Sequence, residues 1–304
     1  MENQLLENRA IQEAVKLKPL EPQCENDVAD GFIDKHIDSF KYIRKINQWL
    51  IWDGSVWTDS ETITIFDTVR KYLQTIEFED SSGKKLFLKS STITGIEKIL
   101  RESAEMRLSH DSLDLNDWKL NTPSGIIDLK TGGLLDHNPS EYCTKITSAG
   151  LGEDCPNFLK FMNEIMNKDQ ELINFIQRVL GYCLTGSISE HALFFFYGTG
   201  GNGKGTLLNL VTKLLGKYAA TASTDTFTES KNDRHPTELA RLSGARVVIA
   251  QETNEGRKWD ENKLKTLTGG DVITARFMRG NFFEFTPKFK LIIAGNHKPS
   301  IQTV

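Results

Sequence analysis

The chain has no apolar run approaching the roughly 20 residues of a membrane-spanning helix, so a helical membrane protein is not expected. Cysteine is scarce. The four present among 304 residues, Cys24, Cys143, Cys155 and Cys183, are scattered without metal-ligand spacing. They read as reduced cytosolic thiols, not as a disulfide framework or a zinc site. The opening MENQLLENRA is polar and acidic and lacks the apolar centre of a secretory signal. No internal repeat and no low-complexity tract occurs, which excludes a solenoid.

Hydrophobic residues at 38% and charged residues at 26% are ordinary for a globular protein, and the length suits two domains or one with an appendage. The net charge of -4 conceals an asymmetry. Residues 190–304 hold 16 basic and 11 acidic side chains, whereas residues 1–189 hold 21 and 30. A mildly cationic second part suits an anionic partner. Residues 1–30 are weakly patterned, with Pro19 and Pro22 near acidic groups, and read as a tail. In WLIWDGSVWTD, an Asp-Gly turn between tryptophan-bearing segments predicts a β-hairpin. Helical spacing predicts helices over 62–74, over 91–107 and within 157–183. LNTPSGIIDLKTGGLLDHNP predicts short strands broken by turns. Asp111, Asp114 and Asp117 lack the glycine-centred pattern of a calcium loop and read as solvated surface.

The stretch with the most chemistry is GTGGNGKGT: Gly198, Thr199, Gly200, Gly201, Asn202, Gly203, Lys204, Gly205 and Thr206. It follows the phosphate-binding pattern G-x-x-x-x-G-K-[ST], except that Gly205 stands where a hydroxyl is usual and Thr206 comes one residue late. Ala192–Tyr197 before it reads as a buried strand, and the leucine-rich spacing after it as a helix capped by Gly216. Backbone N–H groups curled by glycines, a helix N-terminus and the Lys204 charge together suit a phosphate. Two further apolar strands end in polar residues. Val247–Ala250 runs into Gln251-Glu252, and FKLIIAGN ends at Asn296. A carboxylate at a strand tip beside a phosphate loop can position water or Mg²⁺, and a terminal amide can orient an attacking water. Between these strands, Val272–Met278 and Phe282–Phe285 predict a hairpin among Lys263, Lys265, Arg276, Arg279 and Lys288. Cations interleaved with aromatics suit single-stranded nucleic acid, which offers phosphates and ring faces together. A solvated hairpin with core phenylalanines is an equal reading of the composition.

In order along the chain, LNTPSGIIDLKTGG, YGTGGNGKGTLLNL, HPTELARLSGARVVIAQETNEG and KLKTLTGGDVITARFMRGNFFEFTPKFKLIIAGNHKP resemble phage and plasmid primase-helicases of helicase superfamily 3. The resemblance runs from about residue 31 to the end. It implies an α/β fold: a P-loop, AAA+-like core with a parallel sheet flanked by helices, over 151–304, preceded by a smaller mixed α+β domain over 31–150. It further implies a hexameric ring that uses ATP and Mg²⁺ to move along single-stranded DNA in a bacterial cytoplasm, with a primase as a separate partner. Lys204, Glu252 and Asn296 would be the catalytic set, with Glu252 as the main Walker B acid and magnesium contact. Lys263 to Lys288 would touch DNA.

Departures from the family pattern are Gln251 in place of a second acid, Gly205 in place of a hydroxyl, and an end at Val304, eight residues past Asn296. The last implies a fragment or shortened product without the arginine-finger segment. A catalytically impaired binding module and a small-molecule kinase are therefore competing expectations.

Overall fold

The computed structural model describes residues 22, 24–60, 62–76, 89–229, 237–251, 258–276, 278 and 281–297. The chain forms two compact units, Met1–Asp53 with Thr58–Ser112 and Gly54–Trp57 with Leu113–Val304.

The first unit packs helices α1 (Glu25–His36), α2 (Thr62–Thr75) and α3 (Ser90–Glu102) with an antiparallel sheet of β1 (Phe40–Ile43), β2 (Gln48–Trp52) and β3 (Trp57–Ser60). Helix α1 begins inside the segment expected to be tail. Val28, Ala29, Phe32 and Ile33 form its buried face, and only the first of these turns precedes residue 30. The helix expected over 91–107 ends at Glu102 instead. Beyond it the chain turns extended so that the Tyr42 N–H donates to Met106 O at 2.7 Å and the Leu108 N–H to Tyr42 O at 3.0 Å. Met106 is buried and continues the apolar spacing, but from a turn next to the β-bridge that Arg107 makes with Tyr42. Trp49 Nε1–H donates to the buried Glu97 Oε1 at 2.8 Å, and Arg101 Nε donates to the same oxygen. A carboxylate 2% exposed is thus both paired and hydrogen-bonded, as a buried charge requires.

The second unit opens with an antiparallel sheet of β4 (Lys119–Thr122), β5 (Gly125–Asp128) and β6 (Leu134–Leu135). Helices α4 (Pro156–Ile165) and α5 (Gln170–Leu184) lead to a parallel sheet in the order β7 (Leu193–Tyr197), β12 (Lys290–Gly295), β9 (Val247–Gln251), β8 (Ala219–Ser223). Helix α6 (Lys204–Leu215) connects β7 to β8. Helices α7 (Thr237–Ala240) and α8 (Glu261–Gly269) flank β9 in sequence, and β10 (Ile273–Arg276) pairs antiparallel with β11 (Phe282–Phe285). This is the α/β class expected, a parallel sheet flanked by helices with smaller antiparallel sheets.

Both sheet faces are covered, which is why its strands read as unbroken apolar runs. Val247, Ile249, Ile292 and Ala294 face α5 and α6 in one core with Leu207, Leu208 and Val211. Their strand neighbours Val248, Ala250, Leu291 and Ile293 face the other way, against Trp259, Leu264, Leu267 and Phe289. Gly216 ends α6 with φ 53°, as expected; a Cβ there would stand 2.8 Å from Ser148 Oγ and 3.0 Å from Ile146 O.

Two buried cations lie immediately before β9 and at the start of β12. Arg246, 6% exposed, donates to Leu184 O, Asn116 O and Lys119 O, and its guanidinium lies 4.6 Å from the Tyr218 ring centroid. Lys290, 1% exposed, donates to Thr185 O and to Ser187 O at 3.1 Å. Both meet carbonyls at or just beyond the C-terminal end of α5, where the helix leaves acceptors unsatisfied and its dipole is negative. Burial lowers the pKa of both, that of Lys290 to about 8.

Candidate functional site

Strand β7, the loop Gly198–Gly203 and helix α6 follow one another as the sequence predicts. Gly203 stands at the N-cap of α6 with φ 84°, and Gly201 has φ 77°. Both values lie in the left-handed region, where a side chain is strained. Gly203 is required a second time, because a Cβ there would come within 2.5 Å of Ile165 Cγ2 on α4.

The strand order brings the three expected strand ends together. Tyr197 pairs with Gly295, and Ala294 pairs with Gln251, so the carboxyl ends of β7, β12 and β9 are level. A cleft of about 300 Å³ opens there, lined by Gly200–Thr206, Gln251 and Ala294–Asn296. Crevices beyond the carboxyl ends of parallel strands are where such sheets bind ligands. Lys204 Nζ donates to Gly198 O, to Asn202 Oδ1 at 3.0 Å, to Thr199 O at 3.3 Å and to Asn296 Oδ1 at 3.4 Å. Gly205 and Thr206 are exposed in the first turn of α6, and a Cβ on Gly205 would meet nothing within 4 Å. Glu252 lies outside the described residues. Gln251, the last residue of β9, is held at its carbonyl by Thr224 Oγ1.

The expected hairpin forms as β10 and β11, with Arg276 opposite Phe282. The Arg276 guanidinium lies 4.9 Å from the Phe282 ring centroid, and its Nε is buried with no hydrogen-bond partner. Phe282 is 61% and Met278 80% exposed, so an aromatic face is presented beside a cation. Arg279 lies outside the described residues. Lys263 and Lys265 sit on α8, whose N-cap Asp260 accepts from the Lys263 N–H at 3.0 Å. Leu264 and Leu267 of α8 share a core with Ile273 and Phe285 of the hairpin.

Lys288 precedes β12, where Nζ pairs with Asp117 Oδ1 at 2.7 Å. The other acidic residues noted with Asp117 are likewise used separately: Asp114 pairs with Lys145 at 3.1 Å and Asp111 with Lys45 at 3.7 Å. Among the described residues no group of His, Cys, Asp and Glu could hold a metal ion, and no helix is long and apolar enough to cross a membrane. Burial pushes the Cys143 and Cys183 thiols up to about 12, so both are inert packing groups.

Sequence reasoning missed Arg246 and Lys290. The signal was available: a lone cation stands directly before or at the start of each of two apolar strands.

Residues 29–167 match the D5 N-terminal-like family, and residues 196–303 match a family of unknown function (DUF5906). A helicase-named protein of Acanthamoeba polyphaga mimivirus is 28% identical over 216 residues, covering 67% of this chain and 22% of that protein. A helicase-named protein of frog virus 3 is 33% identical over 141 residues, covering 44% of this chain and 14% of that one. A primase-named protein of African swine fever virus is 22% identical over 245 residues, 76% of this chain and 25% of its own. The chain is thus similar to viral proteins named as helicases and primases, and carries a D5 N-terminal-like region. Its fold is similar to that of the C-terminal region of NrS-1, with a TM-score of 0.52 at 12% identity, over 89% of this chain and 55% of that one. The chain spans a quarter or less of the length of these curated relatives.

Proposed function

We propose that this chain carries the ATPase core of a superfamily 3 DNA helicase, which hydrolyses ATP to move along single-stranded DNA during phage or plasmid replication. The observation that supports it most is the meeting of Lys204 and Asn296 at 3.4 Å across the ends of β7 and β12, in a cleft also lined by the last residue of β9. The loop fits a polyphosphate on its own features. Left-handed glycines curve it, the N-terminus of a twelve-residue helix points into the cleft, and Lys204 adds a full charge.

In this reading the nucleotide's phosphates lie along Gly198–Thr206. A water attacks the γ-phosphorus as the bond to the bridging oxygen breaks, and ADP leaves with the electron pair. Glu252 orients that water and takes its proton, Asn296 holds it in line, and Lys204 steadies the charge that develops on the phosphoryl oxygens. Magnesium, when bound, would neutralise phosphate charge, with Glu252 as its contact, directly or through water. Lys263, Lys265, Arg276 and Arg279 would follow the DNA backbone while Phe282 offers a ring for stacking. Lys288 is assigned no DNA contact, since its charge pairs with Asp117. A homo-hexameric ring and a separate primase complete the proposal for the whole protein.

The test is steady-state ATPase with and without single-stranded DNA. Hydrolysis stimulated by DNA and lost in Lys204→Ala supports the proposal. Hydrolysis indifferent to DNA, or stimulated by a small phosphate acceptor, overturns it.

A further inference from the structure

Asn202 stands at a place where the phosphate-loop pattern accepts any residue, yet its side chain spans the loop. Oδ1 accepts from Lys204 Nζ at 3.0 Å and lies 3.5 Å from the Lys204 backbone N. The amide nitrogen lies against Gly198, where a built Cβ would stand 2.3 Å from Nδ2. One carboxamide thus bridges the first glycine of the loop and the lysine that closes it. A side chain on Gly198 would displace that carboxamide.

The Lys204 ammonium has three N–H donors, and among the described residues four oxygens surround it: Gly198 O, Asn202 Oδ1, Thr199 O and Asn296 Oδ1. Four acceptors cannot be served equally. The two at 3.3 and 3.4 Å, from Thr199 and Asn296, are the ones a phosphate oxygen displaces at least cost. Gly198 O and Asn202 Oδ1 are then the retained anchors. All four are neutral oxygens, so these contacts hold the ammonium in place without cancelling its charge.

We propose that Asn202 is the positioning residue of the phosphate lysine, aiming Lys204 at the β- and γ-phosphates of a nucleoside triphosphate without neutralising it. This rests on the nucleotide-binding reading above. It differs from a plain turn role, in which Asn is favoured because its side chain caps its own backbone. The two roles diverge on one substitution. Aspartate forms the same turns, but its carboxylate would pair with the ammonium and repel phosphate.

The experiment is equilibrium titration of the whole chain with a fluorescent Mg·ATP analogue, comparing wild type, Asn202→Ala, Asn202→Asp and Lys204→Ala. Loss of one hydrogen bond to a charged group should weaken binding about tenfold in Asn202→Ala. Asn202→Asp should bind more weakly still, and its deficit should grow as salt is lowered. If Asn202→Asp binds like wild type, or better than Asn202→Ala, the residue is only a turn former and the proposal is overturned. Normal binding by Asn202→Ala overturns it too, while the nucleotide reading stands. Should Asn202→Ala fail to fold, Asn202→Gln, with its amide one methylene out of place, is expected to show the same tenfold loss. Wild type that does not bind the analogue overturns both readings together.

Discussion

Lys204 Nζ and Asn296 Oδ1 stand 3.4 Å apart although they are 92 positions apart in the chain. The contact exists because β12 inserts between β7 and β9 and ends level with both. A lysine from the first strand–helix unit and an amide from the end of the last strand therefore share one cleft. Exchange at either residue should have a different consequence. Lys204→Ala should abolish nucleotide binding, since the loop loses its full positive charge. Asn296→Ala should bind normally and hydrolyse about a hundredfold more slowly, the scale of removing one polar group that acts in the transition state. Titration and single-turnover hydrolysis on the same preparations check both; a binding defect in Asn296→Ala would make it a ground-state contact.

Glu252→Gln should leave binding intact and remove hydrolysis, because an amide cannot take a proton from water as a carboxylate does. Normal turnover by that variant would move the role of base elsewhere.

Where the phosphate-loop pattern has a hydroxyl residue this chain has Gly205, and Thr206 follows one residue later. Magnesium keeps several waters and takes few protein ligands, so the loss of one hydroxyl should be tolerable. Thr206 is exposed in the first turn of α6, where a phosphate and unpaired N–H groups would converge. Thr206→Val should weaken Mg·ATP binding, and Gly205→Ser, which meets no neighbour within 4 Å, should leave it equal or stronger. Normal binding by Thr206→Val together with much tighter binding by Gly205→Ser would mean the loop is impaired as it stands.

Lys290 gives stability a particular dependence on pH. Its pKa falls from 10.5 to about 8 on folding, mainly through burial. Below pH 8 both states are protonated and the cost of burying the charge is fully present. Between about 8 and 10.5 the unfolded chain binds the proton and the folded one does not, so this contribution to stability rises with pH. Comparison with Lys290→Met removes the opposing titration of Cys143, whereas the Cys183 thiol interacts with Lys290 and responds to its loss. From pH 7.5 to 9.5 wild type should gain about 1–2 kcal/mol on the variant in urea unfolding. A constant difference would mean that Lys290 keeps its proton throughout.

At the hairpin, charge reversal of Arg276 together with Arg279 should weaken single-stranded DNA binding and flatten its salt dependence, because fewer counterions are released. Phe282→Ala should weaken binding about tenfold and leave the salt slope unchanged, since stacking does not release ions. An unchanged slope in the charge-reversed variant would return Arg276 to a purely structural stack on Phe282.

The sequence by itself determined the elements that local chemistry governs. Strands β7, β9 and β12 were legible because a sheet covered on both faces needs unbroken apolar runs, and the loop before α6 because its glycines, lysine and following helix leave few other uses. The hairpin of β10 and β11 and the Gly216 cap followed from spacing and turn chemistry in the same way. The order of the parallel strands was decided only in three dimensions. Nothing near residue 290 says that β12 lies between β7 and β9, because pairing depends on which faces and helices compete for the same edge. Tertiary structure also paired Lys288 with Asp117. It drew Arg246 and Lys290 to the carbonyls ending α5, and laid the Asn202 amide over Gly198. Each of these is a contact with a partner whose position in the chain no local pattern encodes, and a buried charge or amide is settled by whichever distant oxygens the packing brings within reach.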